Sequence, residues 1–166
     1  MIFFDMDGTI AKFYHDKQCL EKMYERDYFF ALKPYKLAEY VNELASKRKD
    51  IYILSACIDS PYCEQEKRDW LRIYIPNLPE NHYIFTKAGE DKATKIEEIL
   101  GKPTSTRILI DDYSKNIFDW ESKGRKYVAI KYLNGMNNKS GKVYPLKAKT
   151  IKQIKSLLSF YGYSNI

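Results

Sequence analysis

With 166 residues, 45% hydrophobic and 30% charged, the chain has the length of one globular domain with room for a small insertion, and two full domains are excluded. A chain this long buries roughly 70% of the surface its unfolded form exposes, so its core needs neither disulfides nor a structural metal; 15% aromatic residues with seven Gly and six Pro exclude a disordered or low-complexity protein. The net charge of +6 is uneven, because residues 124–166 hold nine Lys or Arg and no Asp or Glu, leaving 1–123 at −3.

Short apolar runs alternate with stretches of helical periodicity, which predicts an α/β fold: a Rossmann-like parallel sheet flanked by helices, spanning 1–166 as a single domain. The first strand is predicted at 2–4. After it, an aromatic-rich stretch (Phe13, Tyr14, Tyr24, Tyr28, Phe29, Phe30) closes at Pro34 and reads as a small helical cap inserted over 12–34. Helix 35–47 places Leu37, Tyr40, Val41 and Leu44 on one face, and strand 51–54 follows. Helix 64–74 does the same with Lys67, Trp70, Leu71 and Tyr74, before a strand at 82–85. Helix 91–100 is ended by Gly101 and Pro103, strand 107–110 by a helix at 114–123 that stops at Gly124, and a fifth strand is predicted at 127–132. Residues 134–145 read as a polar loop or weak hairpin, and Thr150 as the N-cap of a last helix to about residue 160.

Cys19, Cys57 and Cys63, spaced by 38 and 6, fit neither a disulfide framework nor paired zinc ligands and read as reduced thiols of a cytoplasmic protein. Asp5 and Asp7 break the pattern of a signal peptide, and no apolar run approaches the roughly 18 residues that span a bilayer, so no membrane partner is expected. The basic C-terminal third suits phosphates or nucleic acid, but its lysines are scattered, which favours a solvated face.

Ligands of open parallel sheets bind at the carboxyl ends of strands. There the sequence sets Asp5-Met6-Asp7-Gly8-Thr9 after strand one, Ser55-Ala56-Cys57 after strand two, Lys92 at the start of a helix, and Asp111-Asp112 after strand four. Two carboxylates at i and i+2, with Gly8 letting the loop turn, can aim a nucleophile and a second acid at one ligand. Two further carboxylates complete an all-oxygen site for a hard cation such as Mg²⁺. A lysine and a hydroxyl remain for a phosphate's outer oxygens, so the reading is metal-assisted phosphoryl transfer through an aspartyl-phosphate. The Asp-x-Asp-Gly-Thr pattern has a chance occurrence of about one in a thousand in a chain this long. The lone Ser, the lone Lys and the Asp pair acquire meaning only from their order behind it. Lys87 and Lys95 compete with Lys92 for the phosphate role. Trp70 and Trp120 read as packing, His15 and His82 are too far apart for a metal pair, and Cys57 reads as a small buried thiol.

In that order these residues resemble the four motifs of the haloacid dehalogenase (HAD) superfamily. The resemblance implies Asp5 as nucleophile and Asp7 as the acid that protonates the leaving oxygen and then activates water. More segments are similar to the 5'(3')-deoxyribonucleotidase family: Ile10-Ala11 with Phe13, Pro61-Tyr62-Cys63-Glu64, Glu66-Lys67 with Trp70, Asp91-Lys92, and Leu109-Ile110-Asp111-Asp112, together covering residues 1 to about 135. Ser55 stands where Thr is common there, which keeps the hydroxyl. This closer resemblance implies a nucleoside monophosphate substrate, Phe13 over the nucleoside, Ser55, Ala56 and Lys92 at the phosphate, and a cap that excludes water. It also implies Mg²⁺ on the Asp5 carboxylate, the Asp7 carbonyl and one of Asp111 and Asp112, with Asp112 preferred. Two alternatives stand beside it: a phosphatase of nucleic-acid ends or sugar phosphates, and a phosphate-binding module without turnover.

Overall fold

The computed structural model describes residues 1–14, 17–137 and 144–163, and in them six strands form one wholly parallel sheet. The strands are β1 (Ile2–Phe4), β2 (Ile51–Cys57), β3 (Tyr83–Lys87), β4 (Arg107–Asp111), β5 (Tyr127–Tyr132) and β6 (Lys147–Ala148), in the order β3-β2-β1-β4-β5-β6. The helices are α1 (Lys17–Lys22), α2 (Lys36–Lys47), α3 (Cys63–Tyr74), α4 (Lys92–Leu100), α5 (Ser114–Ser122) and α6 (Ile151–Phe160). The predicted α/β, Rossmann-like class is the observed one. Among the described residues, no helix is long and apolar enough to cross a membrane.

Successive side chains of a strand face opposite ways, so a strand buried on both sides must be apolar at every position. β1 satisfies this throughout and β4 over Ile108–Ile110; Arg107 and Asp111 at its two ends are also buried, and their charged groups are hydrogen-bonded. Ile2, Phe4, Ile108 and Ile110 meet α2, α3 and α6 through Leu37, Val41, Leu44, Trp70, Leu71, Ile154 and Leu158. Phe3 and Leu109 point to the other side, where α4 and α5 supply Ala93, Ile96, Ile117 and Trp120. Both tryptophans are thus core residues, as the helical spacing predicts. Asp91 caps α4 by accepting from the Ala93 N–H at 2.9 Å, and Thr150 caps α6 by accepting from Gln153 N–H at 3.3 Å.

Boundaries differ from the sequence reading in a few places. β2 runs on to Cys57, three residues past the predicted end, and His82 belongs to a 3₁₀ turn (Glu80–His82) rather than to β3. β6 has no counterpart among the predicted strands, since two residues carry no readable period. Of the polar stretch 134–145, residues 138–143 lie outside the described residues, as does His15.

The segment predicted as an insertion leaves and rejoins the core at one place. Ala11 pairs with Pro34, Lys12 N–H donates to Lys33 O at 2.8 Å, and Tyr35 N–H donates to Ile10 O at 2.8 Å. Between these ends, α1 buries none of its residues. The segment is held instead by α3: Glu66 accepts from the N–H groups of Asp27 (2.6 Å) and Phe29 (3.0 Å), and the Trp70 indole donates to Leu32 O at 2.6 Å.

Candidate active site

From β1 the chain steps outward to β2 and β3 and then returns to the far side of β1 with β4. The loops leaving β1 and β4 therefore diverge, and a crevice opens at their carboxyl ends. Asp5 follows β1, Asp111 ends β4 and Asp112 comes next; one carboxylate oxygen of each lies within 4.8 Å of the other two, and all three residues are buried.

Such a cluster needs compensating charge, and Lys92, itself buried at the start of α4, supplies it. Its ammonium donates to Asp5 Oδ1 at 2.6 Å and to Asp111 Oδ2 at 2.7 Å. Burial works against the charge on Lys92, but the carboxylates of Asp111 and Asp5 outweigh it and its pKa lies above the ordinary value. Burial pushes the Asp5 carboxyl up to about 7, with Lys92 opposing and Asp111 and Asp7 adding to the rise. Asp112 is pushed well above the usual carboxylate range by burial and by the neighbouring charges of Asp111 and Asp5.

The two acids of the pair on β4 are held differently. Both oxygens of Asp111 are engaged: Oδ1 accepts from Tyr113 N–H at 2.7 Å, and Oδ2 from Lys92 and from the Asn116 amide at 2.8 Å. Asp112 is fixed through its backbone, with its N–H on Thr9 Oγ1 at 3.1 Å and its carbonyl accepting from the buried Lys131 ammonium. Its Oδ2 accepts from Asn134 at 3.0 Å, while Oδ1 has no hydrogen-bond partner among the described residues. Gly8 is packed against this carboxylate: a Cβ there would lie 2.3 Å from Asp112 Oδ2, and its φ of +78° also favours glycine. An all-oxygen set with an unpartnered, buried carboxylate oxygen suits a hard divalent cation.

Asp7 lies on the other side of Asp5. Its Oδ2 accepts from the ammonium of Lys67, and its buried Oδ1 has no partner among the described residues. Lys67 is fully buried on α3 and also donates to Ser55 Oγ at 3.1 Å and Ala56 O at 2.5 Å, with the Phe29 ring 4.7 Å from its Nζ. Burial works to lower its pKa, yet the charge of Asp7 more than offsets this and the pKa is raised. Lys67 thus joins the strand-two hydroxyl to the second acid, a role that sequence reasoning missed. The signal was present: a lysine on the apolar face of a helix is buried and must find acceptors. Asn116, Asn134 and Lys131 were missed too, and only the tertiary fold could place them.

Above the acids lies a cavity of about 290 Å³ lined by Asp5, Asp7, Asp112, Ala56, Phe13 and Phe29, with Leu20, Met23, Ile58 and Tyr113 farther out. Its floor is acidic and its walls are mostly apolar, with Glu90, Lys115 and Asn116 also lining it. Of the sequence-predicted site residues, Asp5, Asp7, Asp112, Phe13 and Ala56 border it, whereas Ser55, Lys92 and Asp111 sit behind the floor in hydrogen bonds to their neighbours. Phe29, expected as cap packing, both stacks on Phe13 (centroids 6.5 Å apart) and borders the cavity.

No protein-family model matches the chain. Its structure is similar to that of the HAD domain of the effector protein Lem4 from Legionella pneumophila, with a TM-score of 0.52 at 14% identity over 97% of this chain and 93% of that one. The fold is a HAD fold. A phosphoserine phosphohydrolase-like protein from Francisella tularensis shares it with a TM-score of 0.64 at 15% identity, over 95% and 98% of the two chains. By sequence, the HAD-fold chain is 27% identical over 119 residues to a Staphylococcus aureus protein named "Putative 5'(3')-deoxyribonucleotidase". That match covers 64% of this chain and 66% of the relative, just under two thirds of its length.

Proposed function

We propose that the chain is a Mg²⁺-dependent phosphomonoesterase that works through an aspartyl-phosphate on Asp5, with a (deoxy)nucleoside 5'- or 3'-monophosphate as its small-molecule substrate. The observation that carries the reading is the tie of Lys92 to Asp5 and Asp111 beneath a cavity with an acidic floor and mostly apolar walls. Mg²⁺ would be held by Asp5, the Asp7 carbonyl and Asp112, since both Asp111 oxygens are taken by N–H donors, and its charge would draw in the phosphate and offset the phosphoryl group's charge.

In this mechanism Lys92 orients Asp5 and spreads its charge, so that the carboxylate attacks phosphorus as the P–O bond to the leaving group breaks. Asp7, steadied through one oxygen by Lys67, gives its proton to the departing oxygen. It then takes a proton from water, which attacks the acyl phosphate, releases inorganic phosphate and restores Asp5. The Ala56 backbone, which borders the cavity, receives an outer phosphate oxygen, while the Ser55 hydroxyl behind the floor holds Lys67. The apolar walls, with Phe13, Phe29 and Leu20, suit a planar base better than a polyhydroxylated sugar phosphate. Nucleic-acid ends are less favoured, because two of the nine basic residues of the C-terminal third serve the fold: Lys131 is buried on Asp112 and Lys126 donates to Pro103 O at 3.0 Å. A binding module without turnover would have no use for Asp7.

The test is phosphate release from deoxy- and ribonucleoside 5'- and 3'-monophosphates, sugar phosphates and an aryl phosphate, with Mg²⁺ or EDTA. Mg²⁺-dependent release that favours nucleotides is the expected result. Turnover of the aryl phosphate alone would remove the nucleotide part, and no turnover at all would leave the binding module.

A further inference from the structure

We propose that Cys57 and Cys63 form a redox modification site, in which a hydroperoxide oxidises the two thiols to a disulfide and thereby slows the chemistry of the neighbouring cavity. The inference does not depend on the substrate reading.

Cys57 ends β2 and Cys63 opens α3, with the five residues 58–62 between them. The two side chains pack in one apolar cluster with Phe13 and Phe29. None of the protein's cysteines is in a disulfide. The pair is asymmetric in access. Cys63 is fully buried, whereas Cys57 is half-buried and lines a polar groove of about 850 Å³ beside the edge strand β3, together with Asp59, Ser60, Thr86 and Lys87. An oxidant arriving from solvent therefore meets Cys57 first, with Cys63 behind it in the same cluster.

The pair is asymmetric in charge as well. The neighbouring Cys57 side chain and the nearby Lys67 ammonium hold the Cys63 thiol below its ordinary pKa, against burial. The Cys63 side chain and burial push Cys57 up. Access makes Cys57 the first to react: its sulfur attacks the peroxide oxygen, the O–O bond breaks, and the departing hydroxide takes the Cys57 proton and leaves as water, giving Cys57 sulfenic acid. Cys63 then attacks that sulfur, the S–O bond breaks, and the hydroxyl leaves with the Cys63 proton as water. Two thiols are oxidised by two electrons, and one peroxide is reduced.

The new bond would act at the site through both of its ends. Ala56, immediately before Cys57, accepts from Lys67; Cys63 lies one helical turn before Lys67; and Ile58, in the bridged loop, forms part of the cavity wall. Drawing the two sulfurs together displaces the anchor of the Asp7 partner.

The experiment treats the full-length protein with hydrogen peroxide, alkylates the remaining thiols and measures intact mass and linked peptides. Wild type and Cys19→Ser are expected to lose about 2 Da, with Cys57 and Cys63 joined, while Cys57→Ser and Cys63→Ala form no such link, and dithiothreitol reverses the change. Aryl-phosphate hydrolysis by the oxidised wild type is expected to fall about tenfold and to recover with the reductant. Both thiols remaining alkylatable, each oxidising separately, or a link through Cys19 would overturn the site. A disulfide with unchanged turnover would overturn its effect. The mass readout needs no turnover, so its failure is distinguishable from failure of the phosphatase reading.

Discussion

The floor of the cavity and its cap are built on different principles. Asp5, Asp111 and Asp112 stand at the ends of β1 and β4, whose register is set by a continuous backbone ladder, and their charges are bound by Lys92. Among its described residues the cap has no such ladder beyond its two paired ends; Glu66 and Trp70 of α3 hold its interior through three hydrogen bonds, and α1 buries nothing. The floor is thus positioned for chemistry that tolerates little displacement, and the cap for contacts that differ from one leaving group to another. Lys67 belongs to both regions, since it lies beside the cap's Phe29 and grips Asp7.

Substitutions can break this contrast in order of severity. Asp5→Asn is expected to remove phosphate release from every substrate by at least about 1,000-fold, with its fold unchanged by circular dichroism. Residual turnover near wild type would move the nucleophile elsewhere. Lys67→Met leaves Asp7, Ser55 and Ala56 O without their shared partner; kcat should fall about 100-fold and stability to urea by about 3 kcal/mol. Glu66→Gln, which weakens the two backbone bonds into the cap and leaves the sheet core intact, loosens the cap alone. KM for nucleotides should rise about tenfold, turnover of a small alkyl phosphate should hardly change, and hydrogen exchange in 12–34 should quicken. Equal losses on both substrates would show that cap and floor are not separable.

The smallest expected effect concerns protons. Asp5 titrates near 7 in the folded chain against 3.8 ordinarily, so between about pH 4 and 7 the metal-free protein binds more protons than its unfolded form. Its stability therefore falls as pH rises through that window. A divalent cation binds the deprotonated carboxylates, so Mg²⁺ should raise the thermal midpoint by about 5 °C at pH 8 and scarcely at pH 5. An equal shift at both values would place the cation away from Asp5.

Much of this was legible in the sequence because local patterns and the global fold agree. The 3.6-residue spacing on α2 and α3, the caps at Asp91 and Thr150, and the acids placed directly after apolar strands each needed only neighbouring residues to be read. The rest depends on long-range contacts. Lys67 reaches Asp7 across 60 positions and Asn134 reaches Gly8 across 126, and no local pattern encodes such pairs. β6 is too short to show a period. The run Glu66-Lys67 with Trp70 was visible as a resemblance, but its physical sense, two cap anchors flanking an active-site cation, emerges only when α3 is seen against the cap.

The joint between Ala11 and Pro34 bears on how such a protein can be altered. Because the segment departs and returns through one bonded pair, Ala11 and Pro34, the sheet registers only the spacing of that doorway and not what hangs beyond it. Closing a longer flexible loop costs only about 0.6 kcal/mol for each doubling of its length. The doorway therefore works as a socket, into which a larger recognition module could be spliced while Asp5, Lys92 and Asp112 keep their places.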